Sequence, residues 1–162
     1  MRKRIKYLFL CIVTIGLLVG CTNSSKEQNV ESFIRKLVSY DTYKDISSLE
    51  ESGRFIEDCK SIFGEYITND AFDLLMANRI FTRYSSVISE ASAVTDINFT
   101  KTSETENDGY IHFEYEVSYK LELNGETVDM KDYMAFNVLD EKGYKIEKVS
   151  ISDKTSSIFK AF

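Results

Sequence analysis

One acid in this chain sits in an unusual phase. Asp132 falls between Met130 and Met134 in the apolar phase of an alternating run, and Tyr115 and Tyr119 hold the apolar phase of the run before it. A carboxyl group taken out of water binds its proton more tightly, and phenol hydroxyls beside it can donate to developing negative charge. Asp132 with Tyr115 and Tyr119 is therefore the candidate catalytic set, suited to general acid/base work at a pocket mouth. The simpler expectation is that Asp132 marks a bulge or a sheet edge reached by water, with a structural hydrogen bond as the remaining alternative.

The other reactive residues point away from catalysis. The chain has one histidine, so every His-dependent scheme must share it. His112 is out of phase with its apolar neighbours and flanks Glu114, which fits an exposed sheet residue better than a general base. Cys59 lies in phase with Ile56, Ile62 and Phe63 at helical spacing, as a buried core thiol would. Glu104, Glu106, Asp108 and Gly109 match the first half of a calcium loop. Its twelfth position would fall on Tyr115, where a bidentate glutamate is needed, so a solvated turn is expected instead. With 7 glycines and no phosphate-binding loop, no cofactor and no metal are expected. The chain reads more as a binder than as an enzyme.

The N-terminus reads as an address. Arg2, Lys3, Arg4 and Lys6 precede fourteen uncharged residues at 7–20. A spanning helix needs about 20 apolar residues, so the run is short for an anchor and suits a signal peptide. It ends Leu18-Val19-Gly20-Cys21. This resembles the bacterial lipoprotein box. The resemblance implies cleavage between Gly20 and Cys21, a lipid on the Cys21 sulfur, and a location on the extracytoplasmic face of the cell membrane, as in a Gram-positive bacterium. Two acyl chains hold a domain stably on a bilayer where one does so marginally.

Removing residues 1–20 takes away four basic residues and no acid, which moves the formal net charge from −6 to −10. Such a surface opposes nucleic acid and anionic headgroups but admits a basic protein face or a cationic peptide. Cys11 leaves with the leader and Cys21 carries lipid, so Cys59 has no disulfide partner within the chain. With 43% hydrophobic residues, the remainder is long enough to fold on its core alone.

The elements follow from periodicity. Val30, Phe33, Ile34, Leu37 and Val38 mark an amphipathic helix over 29–40. A turn-rich connector spans 40–47, and Ser48 with Glu51 fits a capping box opening a second helix through Leu49, Ile56, Cys59 and Phe63 to Gly64. Thr68, Asn69 and Asp70 offer an N-cap to a short third helix carrying Phe72, Leu75 and Met76. No element is evident over 83–93. The period then changes to two. Ile97 and Phe99 suggest a first strand, and 104–109 an acidic turn. Alternation from Ile111 to Leu123 predicts a long half-buried strand, and Asn124-Gly125 a type I′ hairpin. Val128, Met130, Met134, Phe136 and Val138 predict the return strand. After a turn over 140–143, a last strand starting at Tyr144 and Ile146 switches phase to Val149 and Ile151, which asks for a bulge near Glu147 and Lys148.

Helices followed by an antiparallel meander predict an α+β domain with the helices on one face of a curved sheet. With Phe33-Ile34, Ser39-Tyr40-Asp41-Thr42-Tyr43, Tyr66-Ile67-Thr68-Asn69-Asp70-Ala71-Phe72 and the final strands, the order resembles the nuclear-transport-factor-2-like superfamily, including small Gram-positive lipoproteins and transfer-apparatus domains. A cystatin-like sheet around one helix is the alternative. The organisation expected is a signal peptide at 1–20, a flexible tether at 21–28 and one domain at 29–162. The lack of a convincing catalytic set points to a non-catalytic protein- or peptide-binding domain, which the acidic charge would suit to protection against a cationic toxin and which the resemblance would make accessory to a secretion or conjugation machine; the alternative is a small-molecule pocket protein or a hydratase/isomerase-like enzyme using Asp132.

Overall fold

The computed structural model describes residues 25–44, 46, 52–140 and 143–161. Among the described residues, five helices precede a four-stranded antiparallel sheet whose spatial order is the chain order, so the fold is α+β. Helix α1 (Ser25–Leu37) buries Val30, Phe33, Ile34 and Leu37, the predicted stripe. It begins earlier than the periodicity suggests, so residues 25–28, expected in the tether, are helical. A single turn, α2 (Tyr40–Tyr43), follows. Helix α3 (Ser52–Phe63) turns Phe55, Cys59 and Phe63 inward. Ile56, expected in that stripe, is 45% exposed because the buried line runs through Phe55, one position earlier. The predicted capping box of Ser48 and Glu51 lies outside the described residues, as does Leu49.

Helix α4 (Asn69–Ala77) starts where predicted, with Thr68 Oγ1 accepting from the Ala71 amide. Arg79 then turns the chain at φ 57°, and helix α5 (Ile80–Ile88) begins at once. This helix occupies much of the stretch that the sequence left without an element. Apart from Arg83, its residues are β-branched, aromatic or serine, all middling helix formers. Burial of Ile80, Phe81, Tyr84, Val87 and Ile88 compensates.

Strand β1 (Ala93–Asn107) is longer than the Ile97–Phe99 signal and runs through most of the expected acidic turn, which shrinks to Asp108 and Gly109. Its register with β2 (Tyr110–Leu123) shifts twice, once around Asp96 at φ 52°. Strands β2 and β3 (Glu126–Leu139) pair without interruption, from Tyr110 against Leu139 to Leu123 against Glu126. Asn124 (φ 52°) and Gly125 (φ 84°) make the hairpin turn with both central residues left-handed, as type I′ geometry requires. Strand β4 (Ile146–Ile151) starts two residues later than expected because Tyr144 sits at φ 61° in the turn. The phase switch is a bulge at Glu147, between the pairs Asn137–Lys148 and Val138–Ile146.

The core lies between the helices and the inward phase of the sheet. Phe33 meets Phe63 at 5.6 Å and Phe136 at 6.0 Å, edge to face, and Phe63 stacks on Phe81 at 4.6 Å. These rings join α1, α3 and α5 to β3. The segment before α4 closes the outer side of β4: Ile67 bridges Ile146 in parallel, and Asn29 Nδ2 donates to the Tyr66 and Tyr144 carbonyls at 3.0 and 2.8 Å. Among the described residues, no helix is long and apolar enough to cross a membrane.

Candidate functional site

Asp132 is fully buried, the one carboxylate among the described residues to be so. The expectation of a wet bulge or edge is corrected on two counts. Asp132 sits in regular register opposite Val117, with no bulge. Strand β4 does stop at the level of Met134, which leaves the stretch of β3 before Met134 without a neighbouring strand. The C-terminal segment takes that place. Ser156 Oγ accepts from the Tyr133 amide at 2.9 Å, and Ser157 Oγ from the Lys131 amide at 3.0 Å. Two serine hydroxyls thereby satisfy β3 amides that would otherwise be orphaned.

The carboxylate is the centre of this closure. Asp132 Oδ2 accepts from Tyr84 on α5 and from Tyr119 on β2, each at 2.9 Å, and Oδ1 accepts from the Ile158 amide at 3.1 Å. One side chain thus ties α5, β2, β3 and the 3-10 turn Ser157–Phe159 together. Arg83, one residue before Tyr84, lays its guanidinium 4.7 Å from the Phe159 ring and reinforces the same joint.

Burial raises the Asp132 pKa from its ordinary value, against the opposing pull of the Ile158 amide and the two phenols. Tyr84 and Tyr119 are held well above the ordinary tyrosine range, first by burial and then by the carboxylate charge. Both phenols are therefore donors, never phenolates, near neutral pH.

Of the two predicted tyrosine donors, the fold recruits one. Tyr115 is buried but leans toward Phe113 and Phe136, with ring centroids at 6.4 and 6.1 Å. Burial and then Glu27, Glu31 and Glu104 push its phenol up, which places it at the α1 end of the sheet, away from Asp132. The second donor is Tyr84, which the sequence analysis missed along with its helix. Its signal was present, since Ile80, Phe81, Tyr84, Val87 and Ile88 lie at i, i+1, i+4, i+7 and i+8.

The remaining candidates stand apart. His112 is on the wet face, with Nδ1 2.8 Å from Asn137 Oδ1. Cys59 is buried, and burial pushes its thiol up to about 12. Glu104 lies on β1 and pairs with Lys101, which also reaches Glu27. Cys21 lies outside the described residues.

No protein family matches the chain, and no curated protein is significantly similar to it.

Proposed function

We propose that the chain is a lipid-anchored extracytoplasmic binding domain that does no chemistry of its own. The observation that carries the non-catalytic half is the saturation of Asp132. Its two oxygens take three hydrogen bonds, all from the chain itself, and none of its surface meets solvent. A general acid or base must reach a substrate proton within hydrogen-bond distance. Here the tyrosines and the Ile158 amide occupy that space, so the arrangement serves as a joint between elements. The tethered half is supported by the basic n-region, the short apolar run and Leu18-Val19-Gly20-Cys21.

The fold reading that goes with this is nuclear-transport-factor-2-like. Five helices ahead of a four-stranded meander among the described residues, and register shifts in the long first strand, support it over a cystatin-like sheet around one helix. The acidic balance favours a basic protein or cationic peptide as partner.

Palmitate labelling and fractionation of the full-length chain in a Gram-positive host test the tether. The expected result is label on the wild type in the membrane fraction, with Cys21→Ser unlabelled, unprocessed and partly released. Processing and membrane retention of Cys21→Ser equal to wild type would overturn it. The pocket-enzyme reading makes a separate claim: it requires solvent exchange at Asp132. Slow hydrogen exchange at the Ile158 amide, comparable to the β2–β3 ladder, supports the joint, and fast exchange there supports the pocket.

A further inference from the structure

The start of the fold is fastened to one end of the sheet. Helix α1 begins at Ser25, and its first turn makes three separate attachments there. Lys26 pairs with Asp140 at the end of β3, and its ammonium lies 5.4 Å from the centroid of the Tyr144 ring. Glu27 takes Lys101 of β1 at 2.9 Å. Asn29 Nδ2 donates to the Tyr66 and Tyr144 carbonyls. Cys21 and Ser25 are four Cα–Cα steps apart, which span at most about 15 Å in any conformation. A lipid on Cys21 therefore holds this end of the domain near the bilayer. The Asn124-Gly125 turn, at the other end of the 14-residue β2, lies about 45 Å away.

The same end carries half-buried tyrosines. Tyr66, Tyr110 and Tyr144 are all of this kind, whereas Tyr43, Tyr84, Tyr115 and Tyr119 are core. The fold brings the three to one level. Tyr66 and Tyr144 share the Asn29 amide as donor, and the Tyr66 carbonyl also accepts from the Ile146 amide at 2.9 Å. Tyr110 opens β2 opposite Leu139, and the next residue, Asp140, donates its amide to the Gly109 carbonyl at 3.2 Å, which joins the two turns. A ring with one apolar side and one wet side is the kind that settles at the level of lipid headgroups. Cationic attraction is not what this end offers. Lys26 is taken by Asp140, Lys145 Nζ donates to the Gly64 carbonyl at 2.7 Å, and Glu106 and Asp108 add negative charge.

From this juxtaposition we infer that the turn end of the sheet, with Tyr66, Tyr110 and Tyr144, is a membrane-contact surface that rests on the bilayer carrying the anchor. The phenols sit among the headgroups, and the hairpin end stands away from the lipid, where a protein partner can reach it. The inference rests on the lipid-anchor reading above and names the face that the anchor brings to the membrane. Lying flat on the outer face of the sheet does not fit, because that would set Glu114, Glu116 and Glu122 against the headgroups.

The chain has no tryptophan, so a single introduced one reports its own position. The test takes the lipidated protein from a Gram-positive host into phosphatidylcholine vesicles brominated near the headgroup end of their acyl chains, and reads quenching of tryptophan emission. Tyr110→Trp and Tyr144→Trp are two independent reporters at the tether end. Tyr133→Trp and Val128→Trp report from about 20 and about 37 Å further along β3, counted from Leu139, the register partner of Tyr110. The first two are expected to lose emission to the bromines and the last two to keep it, with the Tm of all four near that of the wild type. Quenching at Tyr110→Trp should not rise when phosphatidylglycerol is added. Equal quenching at all four positions overturns the inference, as does quenching that appears only with phosphatidylglycerol. Vesicle flotation separates the two readings. A protein that floats with the vesicles but shows no quenching at Tyr110→Trp or Tyr144→Trp removes this contact and leaves the anchor standing. A protein that does not float removes the anchor and this inference with it.

Discussion

Tyr119 donates to Asp132 across 2.9 Å although the two are not register partners; Tyr119 faces Met130, and Asp132 faces Val117. Tyr115, facing Met134, is the mirror-related diagonal neighbour of Asp132 and yet turns away. Both rings lean toward the start of β2, Tyr119 past Val117 and Tyr115 past Phe113, as side chains do along a strand. That shared lean makes one tyrosine a partner of the carboxylate and the other part of the aromatic core.

Removing the carboxylate should be costly. Asp132→Ala strands two phenol hydroxyls and the Ile158 amide in the core, at about 3–5 kcal/mol for buried groups left unpaired. Asp132→Asn should cost much less, since its carbonyl can accept from Ile158 while the rotating phenols accept from its amide. Urea denaturation of the three proteins checks the order wild type, Asn, Ala. An alanine variant as stable as the asparagine one would contradict the joint.

Each tyrosine should contribute separately. Tyr84→Phe and Tyr119→Phe each delete one donor and should each cost about 1 kcal/mol, with coupling to Asp132 visible in a double-mutant cycle. Tyr115→Phe should show no coupling to Asp132→Asn. Coupling there as large as at Tyr119 would mean the wrong tyrosine has been assigned.

The pH dependence follows from the direction of the Asp132 shift. Its folded pKa is raised, so the folded state holds this proton to higher pH than the unfolded chain does. Above the unfolded value of 3.8 the unfolded state gives up the proton first, and stability from this group falls as pH rises until the folded pKa is passed. Asp132→Asn should flatten that part of the stability curve. A wild-type and Asn pair with parallel curves from pH 3 upward would show that Asp132 does not titrate differently on folding.

Two glycines should respond to alanine with opposite signs. At Gly64 an added Cβ would meet the Lys60 carbonyl oxygen at 2.6 Å, so Gly64→Ala should destabilise. At Gly53, inside α3, a Cβ meets nothing within 4 Å, and Gly53→Ala should stabilise by about 0.5–1 kcal/mol. Thermal melts of the two variants test the pair.

Cys59 should be inert in the folded protein. With its thiol pushed up to about 12 and its side chain buried, alkylation at pH 8 should wait for unfolding. Mass-spectrometric mapping of iodoacetamide adducts with and without urea reads this directly. Labelling of native Cys59 at the rate of a free thiol would place it on a reactive surface.

The sequence by itself determined the β2–β3 hairpin and the phase switch of β4, but not the extent of β1. The alternation from Ile111 to Leu123, the Asn124-Gly125 turn and the phase switch at Glu147 are local signals, because strand faces, left-handed turn residues and bulges are set by neighbours in the chain. It also determined which face each residue of β2 takes, and with it that Tyr119 looks inward and His112 outward. Tertiary structure alone decided what Asp132 is. Its donors arrive from residues 48, 13 and 26 positions away, and its cover is a C-terminal turn standing in for a missing strand. It also decided that α5 exists, since a run of middling helix formers becomes a helix only when its apolar stripe has a core to enter.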